Sequence, residues 1–173
     1  MLVNLSDVFT SSERVMQQEI QYGRTVFSDG LKTYTVITGT PFLFSFSNIE
    51  EGKAKIEGKG SITLEMKCDR CLQEVEYLIP LTISREVFSP DCLNPEDAED
   101  QVFVQDYILD VDVLINSEIL LSLPMKILCR PDCKGICMVC GQNLNLGECG
   151  CDTFVPDPRM VAIKDIFNAR KEV

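Results

Sequence analysis

Ile62-Thr63-Leu64-Glu65-Met66, then Cys68-Asp69-Arg70-Cys71, then Val75-Glu76-Tyr77-Leu78-Ile79 and Leu81-Thr82-Ile83-Ser84-Arg85-Glu86-Val87 decide the fold class. Apolar and polar residues alternate on both sides of the cysteine pair. That is the two-residue period of half-buried strands. Asp69 to Gln73 supplies the turn between them, so the segment reads as a hairpin. The pattern continues upstream. Tyr34-Thr35-Val36-Ile37-Thr38 is β-branched and aromatic and is followed by Pro41. Phe42-Leu43-Phe44-Ser45-Phe46 and Ala54-Lys55-Ile56-Glu57 alternate, with a turn over Asn48 to Gly52. These strands predict an antiparallel β-meander, half buried and curled toward a partial barrel.

The flanks add helices and make the class α+β. Near the start, Ser11, Ser12 and Glu13 can open a helix, while Val15 to Tyr22 can equally form an edge strand. Ser89 to Asp100 reads as a loop, acidic from Glu96 to Asp100, and Val102-Phe103-Val104 as a further strand. Val111, Leu114, Ile115, Ile119 and Leu121 or Ser122 recur at helical spacing, and Pro124 ends that helix. A last helix begins at Asp157-Pro158-Arg159. Asp157 caps it, Pro158 fits its first turn, and Met160, Ile163, Ile166 and Phe167 form its apolar face. The expected organisation is a β-rich domain with a helix over residues 1–124 and a small Cys-rich zinc-binding tail with a terminal helix over residues 125–173.

The chain has 173 residues, a formal net charge of −11, nine cysteines and no histidine. Without histidine, Ser-His-Asp and Cys-His catalysis and His-containing zinc sites are excluded. Carboxylates abound without diagnostic spacing, so neither an enzyme nor a small-molecule substrate is inferred. The acidic surplus repels phosphate and favours basic proteins as partners. Met1 to Thr10 lacks the basic start and apolar run of a signal peptide. The apolar stretch Ile119 to Leu128 is broken by Ser122, Pro124 and Lys126, and it is too short to span a bilayer. The expectation is a cytoplasmic protein without a membrane partner, where thiols stay reduced and disulfides are disfavoured.

Thiolate ligation then explains the cysteines. Cys137-Met138-Val139-Cys140-Gly141 lets a turn aim two sulfurs at one ion, and Gly141 takes positive φ without a steric cost. In Cys149-Gly150-Cys151 the glycine permits the bend that brings two thiolates together. The first expectation is therefore a site of Cys137, Cys140, Cys149 and Cys151, in which Cys133 or Cys129 can substitute. Zn²⁺ suits a redox-inert tetrahedral set of four sulfurs, which leaves no open position for water activation. Cys68 and Cys71 remain open to three readings: incidental thiols, a redox pair, or half of a second site with Cys129 and Cys133 that would pin the tail to the sheet.

Gly58-Lys59-Gly60-Ser61 is not a phosphate loop, because the glycine spacing is wrong and Gly60 stands where a hydroxyl is needed. Lys53, Lys55 and Lys59 share one strand face, which reads as solvated by default and as a small RNA-contact patch otherwise.

Cys129-Arg130-Pro131-Asp132-Cys133 through Cys137-Met138-Val139-Cys140-Gly141-Gln142-Asn143-Leu144-Asn145, then Cys149-Gly150-Cys151 and Asp157-Pro158-Arg159, resembles the YceD family. Cys68-Asp69-Arg70-Cys71-Leu72 is similar to that family's cysteine-containing turn. The resemblance implies a β-rich N-terminal region and a non-enzymatic association with accumulation of large-subunit (23S) ribosomal RNA. A ribosomal protein or large-subunit precursor RNA is the implied partner. The competing expectation is a thiol-based redox or metal-handling protein.

Overall fold

The computed structural model describes residues 1–10, 15–94, 99 and 101–151. The helix start at Ser11 to Glu13, most of the acidic stretch from Glu96, and the helix expected from Asp157 lie outside them. Two compact units are present. The first comprises Met1–Lys67 and Glu74–Ile127; the second comprises Cys68–Gln73 and the chain from Leu128 onward.

In the first unit the order is β1 (Leu2–Asn4), α1 (Ser6–Thr10), β2 (Val15–Ile20), β3 (Val26–Ser28), β4 (Thr33–Gly39), β5 (Phe42–Glu50), β6 (Lys53–Lys67), β7 (Glu74–Phe88), β8 (Val104–Gln105), β9 (Ile108–Asp110) and α2 (Val111–Ser122). The antiparallel sheet is as expected, and the edge-strand reading of the N-terminal segment is the one observed. The connectivity departs from a simple meander. β6 is one strand of 15 residues, not two short ones. β7 pairs with its whole length along one side. On the other side β5 pairs with Lys53 to Lys59 and β4 with Ile62 to Glu65, so β4 and β5 lie end to end. The corner between them is stitched to β6: Thr40 N–H donates to Ser61 O and Ser61 N–H to Thr40 Oγ1, both at 2.9 Å. Pro41, which has no N–H, can stand at this break without losing a ladder bond.

β6 stays continuous because two glycines open its inner face. Phe42, Phe44 and Phe46 are fully buried and stack along β5 with ring centroids 6.0 and 5.9 Å apart. Gly58 lies opposite Phe44, and Gly60 lies against the Phe42 ring. A Cβ would fall 2.6 Å from the Phe42 ring at position 60 and 2.7 Å from the Phe44 ring at position 58. The glycine run is thus the bed for two aromatic rings.

α2 begins where Asp110 caps it, accepting from the N–H groups of Asp112 and Val113. Val111, Leu114, Ile115 and Ile119 enter the core, whereas Leu121, expected on that face, is exposed. Glu118 is buried instead and meets the Arg85 guanidinium at 2.6 Å. The expected strand at Val102 is shorter and later. Its residues Val104–Gln105 pair with β9, which pairs with β1.

Gly58→Ala should therefore cost about 2 kcal/mol through overpacking. Gly147→Ala, with open space around its Cβ, should be close to neutral. Denaturant melts of the two variants check the contrast.

Candidate metal centres

The second unit is built from two turns of the same design. In the first, Cys68 N–H bonds Gln73 O at 2.8 Å and Leu72 N–H bonds Cys68 O at 2.9 Å; in the second, Cys137 N–H bonds Gln142 O and Gly141 N–H bonds Cys137 O, both at 2.8 Å. Each Cys-x-x-Cys is followed by a residue at positive φ: 61° at Leu72 and 74° at Gly141. Glycine is the ordinary occupant of that position. Leu72, 60% exposed, holds it against steric cost.

Each turn brings its sulfurs to a second pair. Cys68, Cys71, Cys129 and Cys133 form one cluster, and Cys137, Cys140, Cys149 and Cys151 another, with the sulfurs of each within 4.8 Å of one another. In the first, Cys68 Sγ lies 3.8 Å from Cys133 Sγ and Cys71 Sγ 3.6 Å from Cys129 Sγ. A tetrahedral ion with metal–sulfur bonds of about 2.3 Å sets its sulfurs about 3.8 Å apart. The donor set and spacing fit an ion, so either cluster can hold one. Cys129 and Cys133, considered as substitutes in the tail site, lie with Cys68 and Cys71, which is the grouping of the third reading left open for that pair. Cys92 stands outside both clusters. The second cluster is the more open: Cys140 is exposed, and Cys149 and Cys151 are partly so.

The backbone prepares one sulfur in each cluster for ionisation. Burial opposes charge on Cys68, but the N–H groups of Cys71, Cys129 and Arg70 converge on it and bring its pKa to about 6. The N–H groups of Cys140 and Val139 do the same for Cys137, also to about 6. Burial and the neighbouring sulfurs of Cys133, Cys71 and Cys68 push Cys129 up to about 12. Its hydrogen bond with Cys140, together with burial, pushes Cys151 up to about 12. Like charges this close cannot accumulate without a cation.

Three further residues, Asn145, Arg70 and Gly135, organise the unit in roles the sequence did not assign them. Asn145 accepts from Arg130 Nη2 and Lys134 N–H at 2.9 and 2.8 Å and donates to Cys133 Sγ at 3.2 Å. It thus serves the first cluster from the loop between the two halves of the second. In sequence it signals only a loop-forming Asn. Arg70 Nη1 donates to Cys133 O at 2.8 Å. Gly135, at φ 82°, lets the chain pass close to Arg70 O, which a Cβ would approach to 3.2 Å. The candidate RNA-contact lysines are placed less favourably. Lys53 pairs with Glu86 at 2.7 Å and Lys55 with Glu57 at 2.8 Å. Lys59 lines a shallow cavity of about 280 Å³ with Gln17, Leu43 and Ser45.

Residues 56–167 match the family model described as large ribosomal RNA subunit accumulation protein YceD, a span that contains both clusters. The chain belongs to the YceD family. It is also 32% identical over 108 residues to uncharacterized proteins of Mycobacterium bovis and Mycobacterium tuberculosis, covering 61% of this chain and 52% of each relative. The chain thus spans about half the length of the curated relatives it matches. No solved structure matches it significantly. Among the described residues, no helix of this YceD protein is long and apolar enough to cross a membrane.

Three outcomes test the centres. Cys133→Ser and Cys140→Ser should each remove one metal equivalent and leave the other bound, as read by metal analysis of the purified chain. Loading should also release protons, because Cys129 and Cys151 hold theirs at neutral pH. A step that releases protons weakens as pH falls. The dependence should steepen below about pH 6, where Cys68 and Cys137 also become protonated. Chelator competition across pH measures both slopes. Leu72→Gly should stabilise the first turn by about 1 kcal/mol by relieving its positive φ, seen as slower metal loss from that cluster.

Proposed function

We propose that the protein is a non-enzymatic ribosome-biogenesis factor. It acts in the cytoplasm and supports accumulation or processing of large-subunit ribosomal RNA by binding a ribosomal protein or precursor RNA. The family match across residues 56–167 carries this reading. Zn²⁺ is the proposed occupant of both clusters, because four cysteine sulfurs within 4.8 Å of one another suit that redox-inert, tetrahedral ion. Four protein ligands leave no open position, so each ion organises the second unit and does not activate water.

Charge favours a protein partner over RNA. The net charge is −11, and Lys53 and Lys55 are already paired with carboxylates. The exposed Cys140 supports a second reading, in which the outer cluster exchanges metal or undergoes oxidation.

Depletion of the protein should lower large-subunit RNA relative to small-subunit RNA and raise unprocessed precursor. An unchanged ratio would overturn the assembly reading. If Cys137, Cys140, Cys149 and Cys151 oxidise reversibly while ribosomal RNA stays normal, the redox reading replaces it.

A further inference from the structure

β7 carries an open edge. It pairs with β6 in unbroken register from Lys53 opposite Phe88 to Lys67 opposite Glu74, and with no other strand among the described residues. The direction of its peptide groups is fixed at one end. Phe88 N–H donates to Gln101 Oε1 at 2.7 Å, and Gln101 Nε2 donates to Phe88 O at 2.8 Å. Ser89 N–H, one residue on, donates the opposite way, to Gly52 O. In an antiparallel ladder the two directions alternate. The peptide groups of Glu76, Leu78, Thr82, Ser84 and Glu86 therefore point away from β6, as does the carbonyl of Pro80. Proline is tolerated there because its missing N–H would face outward. Among the described residues, no hydrogen-bond partner meets these outward groups between Glu76 and Glu86. Gln101, itself buried, does for Phe88 what a neighbouring strand would do.

Natural sheets often guard such an edge with lysine. The outward-facing side chains of β7 are Glu74, Glu76, Leu78, Pro80, Thr82, Ser84 and Glu86, none of them a cation; Glu86 pairs with Lys53 of β6, and Leu78 is 59% exposed. Two occupants are disfavoured. A second copy paired antiparallel about Pro80 would set Pro80 opposite Pro80, where neither residue has an N–H to give. RNA would bring phosphate to the glutamates of this edge.

We propose that the β7 edge captures an extended, Lys/Arg-rich segment of another polypeptide as an added strand. The edge supplies main-chain hydrogen bonds to either side of Pro80, Glu74 and Glu76 meet the cations, and Leu78 meets an apolar residue beside them. The inference rests on the ribosome-assembly reading only in taking a basic ribosomal protein as the source of the segment.

Amide hydrogen exchange on the full, metal-loaded chain tests it, with a synthetic peptide of alternating lysine and valine as probe. In the free protein the amides of Glu76, Leu78, Thr82 and Ser84 should exchange much faster than those of Tyr77, Ile79, Leu81 and Ile83. Saturating peptide should slow the first set by about tenfold or more and leave the second unchanged. The same peptide N-methylated at alternate residues should give no protection. Thr82→Pro, which removes an outward donor without touching the β6 ladder, should weaken peptide binding by about tenfold. The proposal is overturned if the outward amides are already protected in the free chain, since the edge is then covered by this chain or a second copy. It is equally overturned if oligouridylate protects them, or if the peptide binds Thr82→Pro or binds N-methylated with undiminished affinity. These readouts use purified protein, so normal ribosomal RNA in depleted cells would remove the assembly reading alone.

Discussion

Sulfur packed against sulfur is the constraint on which the second unit depends. Its buried side chains, among the described residues, are Cys68, Cys71, Cys133 and Cys137. None of its described residues belongs to the apolar core built around Phe42, Phe44 and Phe46. A segment this small cannot offset its chain entropy by hydrophobic burial. Four thiolates around one ion can, because metal binding energy is then folding energy. Without a cation the close sulfurs work against ionisation, as the high pKa values of Cys129 and Cys151 record. The converging N–H groups at Cys68 and Cys137 offset part of that cost before any ion arrives.

The first unit solves a different problem. β6 must remain one strand while receiving β7 on one side and both β4 and β5 on the other. Aromatic rings seated on Gly58 and Gly60 make that possible. Glycine normally weakens a strand, and here the rings supply the missing packing. The half-buried Arg85–Glu118 pair then places a charged contact between α2 and β7, where a purely apolar helix face was expected.

Much of this was legible and some was not, for identifiable reasons. Alternation from Thr33 to Phe88 revealed the strands, because its period depends only on local geometry. Gly58, Gly60 and Pro80 interrupt the alternating runs, and such residues usually punctuate structure. Only tertiary facts remove those breaks: the rings over the glycines, and the outward side of β7 at Pro80. The end-to-end placement of β4 and β5 is a long-range pairing that no local pattern encodes. The Cys-x-x-Cys turns were visible, while the grouping of eight cysteines into two sets joins residues up to 65 positions apart. Gly141 advertised its positive φ; Leu72 concealed the same conformation behind an ordinary side chain.

The match between the two turns bears on how the clusters divide their work. Both present a sulfur to converging N–H groups, yet their surroundings differ. Cys68, Cys71 and Cys133 are buried and tied further by Arg70 and Asn145, whereas Cys140 is exposed. Water and competing ligands reach a buried ion less readily, so equal chemistry in the first shell gives unequal exchange. Asn145 couples the two, since it sits between Cys140 and Cys149 in sequence and bonds the Cys133 sulfur. A second tie runs through Gly135 and Leu144, whose backbone bond of 2.9 Å joins the segment after Cys133 to the loop before Cys149. These ties hold both turns in one unit, while each cluster keeps four sulfurs of its own and so can lose an ion without the other.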